Sequence, residues 1–241
     1  MPRRIDHAHR PAGLRERAAS VAPVRPEDCR TASPDPPRQV DEADQRHLRN
    51  LLLPFGAEEA ERLSGRLLRE FGSLGATLAA PPARRDRVLA GHEKAACHLA
   101  AVRGAMLHAL REEALGGAEI AGVEALARYL RADMGYRPCE QLRVLFLDSA
   151  VRLVGDEVMM HGSLDSLSMP LRAIVLRALE LAAAGIILVH NHPGGSPEPS
   201  PADIETTRDL ADACRFLQIA VHDHLIVARG GWTSFRLKGL L

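Results

Sequence analysis

The sequence has no excess of charge of either sign, no long apolar run and no closely paired cysteines. Its 31 basic and 31 acidic residues cancel, so no global electrostatic field draws the chain onto nucleic acid or an anionic membrane. No apolar run approaches the roughly 20 residues that cross a bilayer, and the N-terminus lacks the apolar centre of a signal peptide. We therefore expect a soluble, cytoplasmic protein that does not associate with membranes.

The cysteine spacing excludes two kinds of stabilising framework. Cys29, Cys97, Cys139 and Cys214 are far apart and form no Cys-x-x-Cys pair. Such spacing predicts neither a disulfide framework nor a cysteine-based zinc knuckle. A reducing compartment fits this pattern.

Composition and periodicity divide the chain into three regions. Residues 1–40 are rich in arginine, proline and acidic residues without apolar periodicity, which predicts a disordered tail. Residues 41–115 carry leucines at three- and four-residue spacings, which predicts a small bundle of about four or five helices. Residues 116–241 mix strand-like runs with helical stripes, which predicts an α/β domain. Its predicted strands are 142–147, 151–160, 186–189, 216–228 and 232–237, and its predicted helices begin near residues 123, 170 and 200.

The most informative stretch is the segment 185–203. Residues 186–189 are an apolar, β-branched run that suits a strand buried on both faces, and His190 and His192 follow it. Because side chains alternate along a strand, residues two apart project to the same side. The two imidazoles can therefore converge on one point. A loop rich in proline and glycine then turns the chain back.

The helix after this loop supplies a third polar group. Ser200, Pro201 and Asp203 fit a capping serine, a proline at the first helical position and an acid three residues after the cap. Two neutral imidazoles and a carboxylate are a three-ligand set for catalytic zinc, with the fourth position open for water. The sequence therefore predicts Zn²⁺ bound by His190, His192 and Asp203. The alternative is that Ser200 and Asp203 only cap a helix and that the two histidines only hydrogen-bond backbone groups.

A family resemblance rests on these residues. The residues that carry it are His190, His192, Pro193, Ser200 and Asp203. In this order and spacing they resemble the signature of the JAMM/MPN zinc metalloproteases, whose best-known members cleave isopeptide bonds to ubiquitin-like proteins. The segment His-Asn-His-Pro-Gly-Gly, together with Asp223-His224 and Ser234-Phe235 further on, is similar to sequences of the bacterial RadC-like branch. The resemblance implies an MPN-type mixed β-sheet flanked by helices, and a peptide or protein amide as substrate.

The resemblance also implies a catalytic base. In that family a glutamate upstream of the histidines, beside a strand of the same sheet, takes a proton from the attacking water. Glu140, directly before the apolar run that begins at Leu142, matches this placement. An ordinary exposed residue at a strand entrance is the alternative for Glu140. Ser200 is expected to donate a hydrogen bond to the developing oxyanion, in competition with its duty as a helix cap.

Two further residues are candidates for the surroundings of the metal. Asp223 and His224 are expected to hydrogen-bond the ligand imidazoles, because a metal-bound imidazole generally donates its other N–H to an acceptor. A second metal site formed by His222 and His224 is less favoured than structural hydrogen bonding.

A DNA-associated accessory function is the main alternative, with the zinc domain as a binding or structural module. Residues 66–74 resemble the start of the helix-hairpin-helix segment that precedes RadC-like domains, and such segments meet DNA phosphate through a glycine-flanked turn. The corresponding turn at residues 89–94 has only Gly91. A weak DNA contact through the helical region stays open. The candidate cations for it are Arg84, Arg85, Arg87 and Lys94.

Overall fold

A computed structural model of the chain describes residues 41–116, 120–161 and 170–241. In chain order the elements are α1 (Glu42–Leu52), a 3₁₀ turn (Leu53–Phe55), α2 (Ala57–Phe71), α3 (Leu74–Ala79), α4 (Pro82–Val88), α5 (Glu93–Leu115), α6 (Val123–Met134), β1 (Gln141–Leu147), β2 (Leu153–His161), α7 (Leu171–Glu180), β3 (Gly185–Asn191), α8 (Pro201–Phe216), β4 (Ala220–Ala228) and β5 (Gly231–Ser234). The tail predicted for residues 1–40 lies outside the described residues.

Helices α1 to α5 pack around a leucine-rich core. The Asp41 carboxylate caps α1 by accepting a hydrogen bond from the Ala43 amide at 2.8 Å, and Gly72 ends α2 in the left-handed conformation at φ +81°. The fully buried leucines of this core are Leu48, Leu52, Leu63, Leu67 and Leu99. The helical character predicted for this region is confirmed.

A mixed five-stranded sheet follows the helices, with strand order β2-β1-β3-β4-β5. Strand β1 runs antiparallel to both β2 and β3, β3 and β4 are parallel, and β5 is antiparallel to β4. A parallel pair needs a crossover connection, and α8 provides it between β3 and β4. The predicted α/β fold with a mixed sheet and flanking helices is therefore confirmed, and β3 is its central strand.

The two faces of the sheet carry separate apolar cores. Ile186 and Leu188 of β3 pack with residues of α7 and α8, whereas Ile187 and Val189 pack with residues of α5 and α6. All seven residues of β3 are buried, and burying one large aliphatic side chain stabilises the fold by roughly 1.5–3 kcal/mol. The alternation continues beyond the apolar run, so His190 faces α8.

The strand predicted to begin at residue 216 begins later. Phe216 is the last residue of α8 and its side chain is 83% exposed, and β4 starts only at Ala220. Gln218 turns the chain between them with φ +57°. An apolar residue at the end of a helix is indistinguishable from a strand start by periodicity alone, which accounts for the error.

Arg85 does not belong to an exposed basic patch. Its side chain lies inside the fold with 3% of its surface exposed, and it donates a hydrogen bond to the Leu78 carbonyl at 3.2 Å. The neighbouring Arg84 pairs with Glu70 at 2.9 Å. Arg85 is therefore too buried to contact DNA, and the charge of Arg84 is partly neutralised by Glu70.

The cysteines depart from the prediction at one position. Cys97 and Cys214 are free thiols, but Cys139 is disulfide-bonded. Sequence spacing says little about which distant cysteines approach within bonding distance, so the absence of paired motifs did not predict this bond.

No described helix is both long enough and apolar enough to cross a membrane. The longest of them, α5, has 23 residues but carries charged side chains along its length, including Arg103 and Arg111.

Candidate metal centre

The end of β3 aligns two histidines on the face of the sheet that α8 covers. His190 is the second-to-last residue of β3 and its side chain is 1% exposed, while the His192 side chain is 19% exposed. The His192 amide donates to the Val227 carbonyl at 3.0 Å, which continues the β3–β4 ladder one residue beyond the strand. Both imidazoles are therefore held on rigid backbone.

The loop after His192 is pinned to the turn that follows β4. The Gly195 amide donates to the His192 carbonyl at 3.1 Å, and the Gly195 carbonyl accepts from the Gly230 amide at 3.0 Å. Gly195 has φ +89°, and a Cβ there would lie 3.3 Å from Nη2 of Arg229. The positive φ favours glycine at this position, and a larger residue would also need the Arg229 guanidinium to shift slightly.

The predicted capping box is present at the start of α8. The Ser200 hydroxyl accepts from the Asp203 amide at 3.1 Å and donates to Oδ2 of Asp203 at 2.7 Å. The Ser200 amide donates to the same carboxylate oxygen at 2.8 Å. These three bonds fix the Asp203 carboxylate in the first helical turn, directed towards the histidines.

The three predicted ligands converge. Nε2 of His190 lies 3.4 Å from Oδ1 of Asp203, and Nε2 of His192 lies 3.5 Å from Oδ2. The two Nε2 atoms are 2.7 Å apart. Atoms bound to one tetrahedral zinc at bond lengths of about 2.0–2.2 Å lie roughly 3.3–3.6 Å from one another. The nitrogen-nitrogen-oxygen set therefore fits zinc after a small separation of the two rings.

A buried hydrogen-bond chain determines which nitrogen of His190 carries the proton. The Thr207 hydroxyl donates to the Asp203 carbonyl at 2.5 Å, so it must accept from Nδ1 of His224, 2.6 Å away. Nε2 of His224 then carries a lone pair and accepts from Nδ1 of His190 at 2.7 Å. His190 is left with its lone pair on Nε2, the nitrogen that faces Asp203 and His192.

The protonation states of His190 and Asp203 suit metal binding. Burial lowers the pKa of His190 to about 4, so its ring is neutral at neutral pH. Burial opposes the charged form of Asp203, but contacts with His192, His190 and Ser200 outweigh it and hold its pKa far below the usual range. Burial also acts to lower the pKa of His192, yet the carboxylate of Asp203 raises it overall. A neutral imidazole and an ionised carboxylate are the forms that bind a metal ion.

Glu140 lies beside the cluster. Leu142 pairs with His190 in the antiparallel β1–β3 ladder, so Glu140, two residues earlier, stands at the register position of His192. The charge of Glu140 contributes to the raised pKa of His192. Glu140 is half-buried and lies in the neighbourhood of His192. Two other glutamates of this domain make ion pairs elsewhere, Glu157 with Arg177 at 2.6 Å and Glu198 with Lys238 at 2.6 Å.

Asp223 and His224 differ in what they contact. His224 hydrogen-bonds His190 directly. The Asp223 carboxylate accepts from the His224 amide at 2.7 Å, the Ser234 hydroxyl at 2.5 Å and the Arg236 amide at 3.0 Å. Asp223 therefore ties β4 to the segment after β5. His222 packs its Nε2 over Gly185, and His190, His192 and Asp203 are the one cluster of potential metal ligands in the described part of the chain.

Thr207 is the residue that sequence reasoning missed. It lies four positions after Asp203 on α8, on the same helix face, and it is fully buried. That spacing was the available signal, but the partner on β4 becomes visible only in the folded chain.

Comparison with known proteins gives the family of the chain. The family model described as RadC, RadC-like JAB domain, matches residues 120–240. A UPF0758 protein of Rhodobacter capsulatus is 42% identical over 184 residues, which cover 76% of this chain and 86% of that relative. The family match spans all five strands and the three residues of the metal cluster. The chain therefore belongs to the RadC-like JAB domain family.

Proposed function

We propose that the protein is a zinc-dependent hydrolase of the cytoplasm that uses an activated water on an amide bond of a peptide or protein. The observation that carries this proposal is the convergence of His190, His192 and Asp203 around a lone pair on Nε2 of His190. A purely structural role for these groups would not require the His224–Thr207 chain to fix the tautomer of a buried imidazole.

The residues present fit zinc better than a hard divalent cation. Two imidazole nitrogens and one carboxylate oxygen are a preferred zinc set, whereas calcium and magnesium favour all-oxygen sites. When bound, the metal would polarise the scissile carbonyl and lower the pKa of a water towards about 7.

Glu140 is the proposed base. Its carboxylate takes a proton from the attacking water and returns it to the nitrogen of the leaving amine. The position opposite His192 supports this role, because the base must stand at the open side of the ligand set rather than among the ligands.

Ser200 is the proposed oxyanion donor. Its hydroxyl proton is directed to Oδ2 of Asp203 at 2.7 Å, so donation to the substrate requires the hydroxyl to rotate. The Ser200 amide would keep its own hydrogen bond to Oδ2 of Asp203 at 2.8 Å. This bond would hold the Asp203 carboxylate in place while the hydroxyl rotates.

Metal analysis paired with a peptide library tests the proposal. We expect about one zinc per chain and cleavage that a chelator abolishes and added zinc restores. Stoichiometric zinc without cleavage of any peptide would instead favour the DNA-associated alternative. In that case salt-dependent binding of single-stranded DNA should depend on residues 41–115.

A further inference from the structure

A cavity lies between the helical bundle and the entrance of β1. Its volume is about 480 Å³, within the range of roughly 300–1,000 Å³ that holds small molecules. Ala80, Pro82 and Ala100 give it apolar walls, while its cationic wall consists of Arg85, Arg103 and Arg137, with His161 beside them.

This cavity is separate from the metal cluster. Gln141 lines it, whereas Glu140 and Leu142 project to the other face of the strand by alternation. Leu142 packs in the core beneath α7 and α8, on the face of the sheet that carries the metal ligands. A ligand in the cavity would therefore sit behind the strand and not among the three ligand residues.

Two buried side chains in the wall of this cavity have polar atoms without a hydrogen-bond partner. Arg85 is 3% exposed and its Nε has no hydrogen-bond partner. Gln141 is 4% exposed and its Oε1 has none either. Buried polar groups are almost always paired in folded proteins. The wall of the cavity thus contains one unpaired donor and one unpaired acceptor, both enclosed by protein.

Positive charge around the cavity exceeds negative charge. Asp133 is shared by three guanidinium groups: Arg143 at 2.8 Å, Arg137 at 3.3 Å and Arg103 at 3.5 Å. Arg143 has a second partner in Asp156 at 2.5 Å.

Arg85 adds a fourth guanidinium, whose described hydrogen bond is to a backbone carbonyl. In the described contacts of this network, three guanidinium groups pair with the two carboxylates and Arg85 pairs with neither, so four positive charges stand against two negative ones. Burial lowers the pKa of Arg103, and the nearby charges of Arg137 and Arg85 lower it further although Asp133 opposes them. The excess of positive charge favours the binding of an anion in the cavity.

We propose that this cavity binds a small phosphate-bearing molecule, such as a nucleoside monophosphate or a phosphate monoester. A phosphate group carries about −1.5 to −2 charges near pH 7, which matches the excess of positive charge in the arginine network. The forked donors of arginine suit phosphate oxygens. The alanine and proline wall would contact the organic part of the ligand.

Such a ligand would join the helical bundle to the sheet. The walls of the cavity come from α4 and α5 on one side and from residues 137–141 on the other. Because binding to the folded state alone stabilises it by mass action, occupancy should raise the melting temperature.

Calorimetric titration and thermal melting test the proposal. The probes are inorganic phosphate and adenosine monophosphate, compared with potassium chloride at equal ionic strength. At about 100 times the dissociation constant, we expect the melting temperature to rise by about 5 °C or more. Chloride should give no comparable rise.

Variants locate the binding site. Arg137→Gln, whose side chain is 39% exposed and therefore tolerant of change, should weaken phosphate binding by about tenfold or more. Arg87→Gln removes the same charge from an exposed position of α4 and should bind like the wild type. Asp203→Asn damages the metal cluster and should leave the affinity for phosphate unchanged. Circular dichroism verifies that each variant is folded.

The absence of a thermal shift with either phosphate probe would overturn the proposal. Equal affinity for phosphate in Arg137→Gln and wild type would also overturn it. A loss of affinity in Asp203→Asn would overturn it by placing the phosphate at the metal ligands. Binding of single-stranded DNA by a protein that ignores both small probes would overturn it by indicating a polymer-binding surface.

Discussion

The hydroxyl of Thr207 lies 2.6 Å from Nδ1 of His224, at the end of a buried hydrogen-bond chain that leads to the candidate metal ligand His190. Because the same hydroxyl gives its one proton to the Asp203 carbonyl, this contact fixes the proton positions on both His224 and His190. Thr207 on α8 thereby determines that the lone pair of His190, near the end of β3, is on Nε2.

The first prediction concerns this contact. Thr207→Val keeps the shape of the side chain but removes the acceptor for His224. Zinc affinity should fall about 10- to 100-fold, as for other residues that orient a metal-bound imidazole. Competition titration against a fluorescent chelator measures the affinity.

The neighbouring Thr206 is a matched control for this variant. Its hydroxyl donates to the Ala202 carbonyl at 2.7 Å, the same kind of helical bond, but it does not contact His224. Thr206→Val should keep the wild-type zinc affinity, and equal losses in the two valine variants would refute the role assigned to Thr207.

The second prediction concerns the capping box. Ser200→Ala removes the acceptor of the Asp203 amide and should destabilise the fold by about 0.5–2 kcal/mol. For a protein of this size the melting temperature should fall by about 2–4 °C per kcal/mol. Ser200→Thr keeps the hydroxyl and should restore most of the stability. Unchanged melting of the metal-free Ser200→Ala protein would contradict the capping role.

The third prediction concerns the proposed base. Glu140→Gln should lower kcat by about 10²- to 10⁴-fold, because the amide cannot take the proton from water. Zinc content, measured by mass spectrometry, should remain that of the wild type. Glu205→Gln makes the same change at an exposed position of α8 and should keep full activity. Turnover at the wild-type rate in Glu140→Gln would end the assignment.

The fourth prediction concerns the scaffold of the site. Leu188 is fully buried in β3, and Leu188→Ala should destabilise the protein by about 2–5 kcal/mol through lost burial and an unfilled cavity. Leu176 on α7 is 50% exposed, so Leu176→Ala should change stability by less than about 1 kcal/mol. Chemical denaturation of both variants measures the difference, and similar losses would show that β3 is not the centre of the core.

The sequence by itself determined the features that depend on near neighbours in the chain. The apolar run 186–189 predicted a buried strand, and the two-residue spacing of His190 and His192 placed both rings on one face. The capping pattern of Ser200 and Asp203 needed only a three-residue separation. Such patterns are readable because backbone periodicity and helix capping are local physics.

Only the tertiary structure decided which distant groups meet. Nothing in the chain order links Thr207 with His224, and they meet because α8 packs on the face of the sheet that carries Leu188 and His190. Packing likewise buries Arg85 and leaves Phe216 exposed, against the expectation from residue type. These outcomes depend on how whole elements fit together to exclude water, a property of the complete fold that no short stretch of sequence contains.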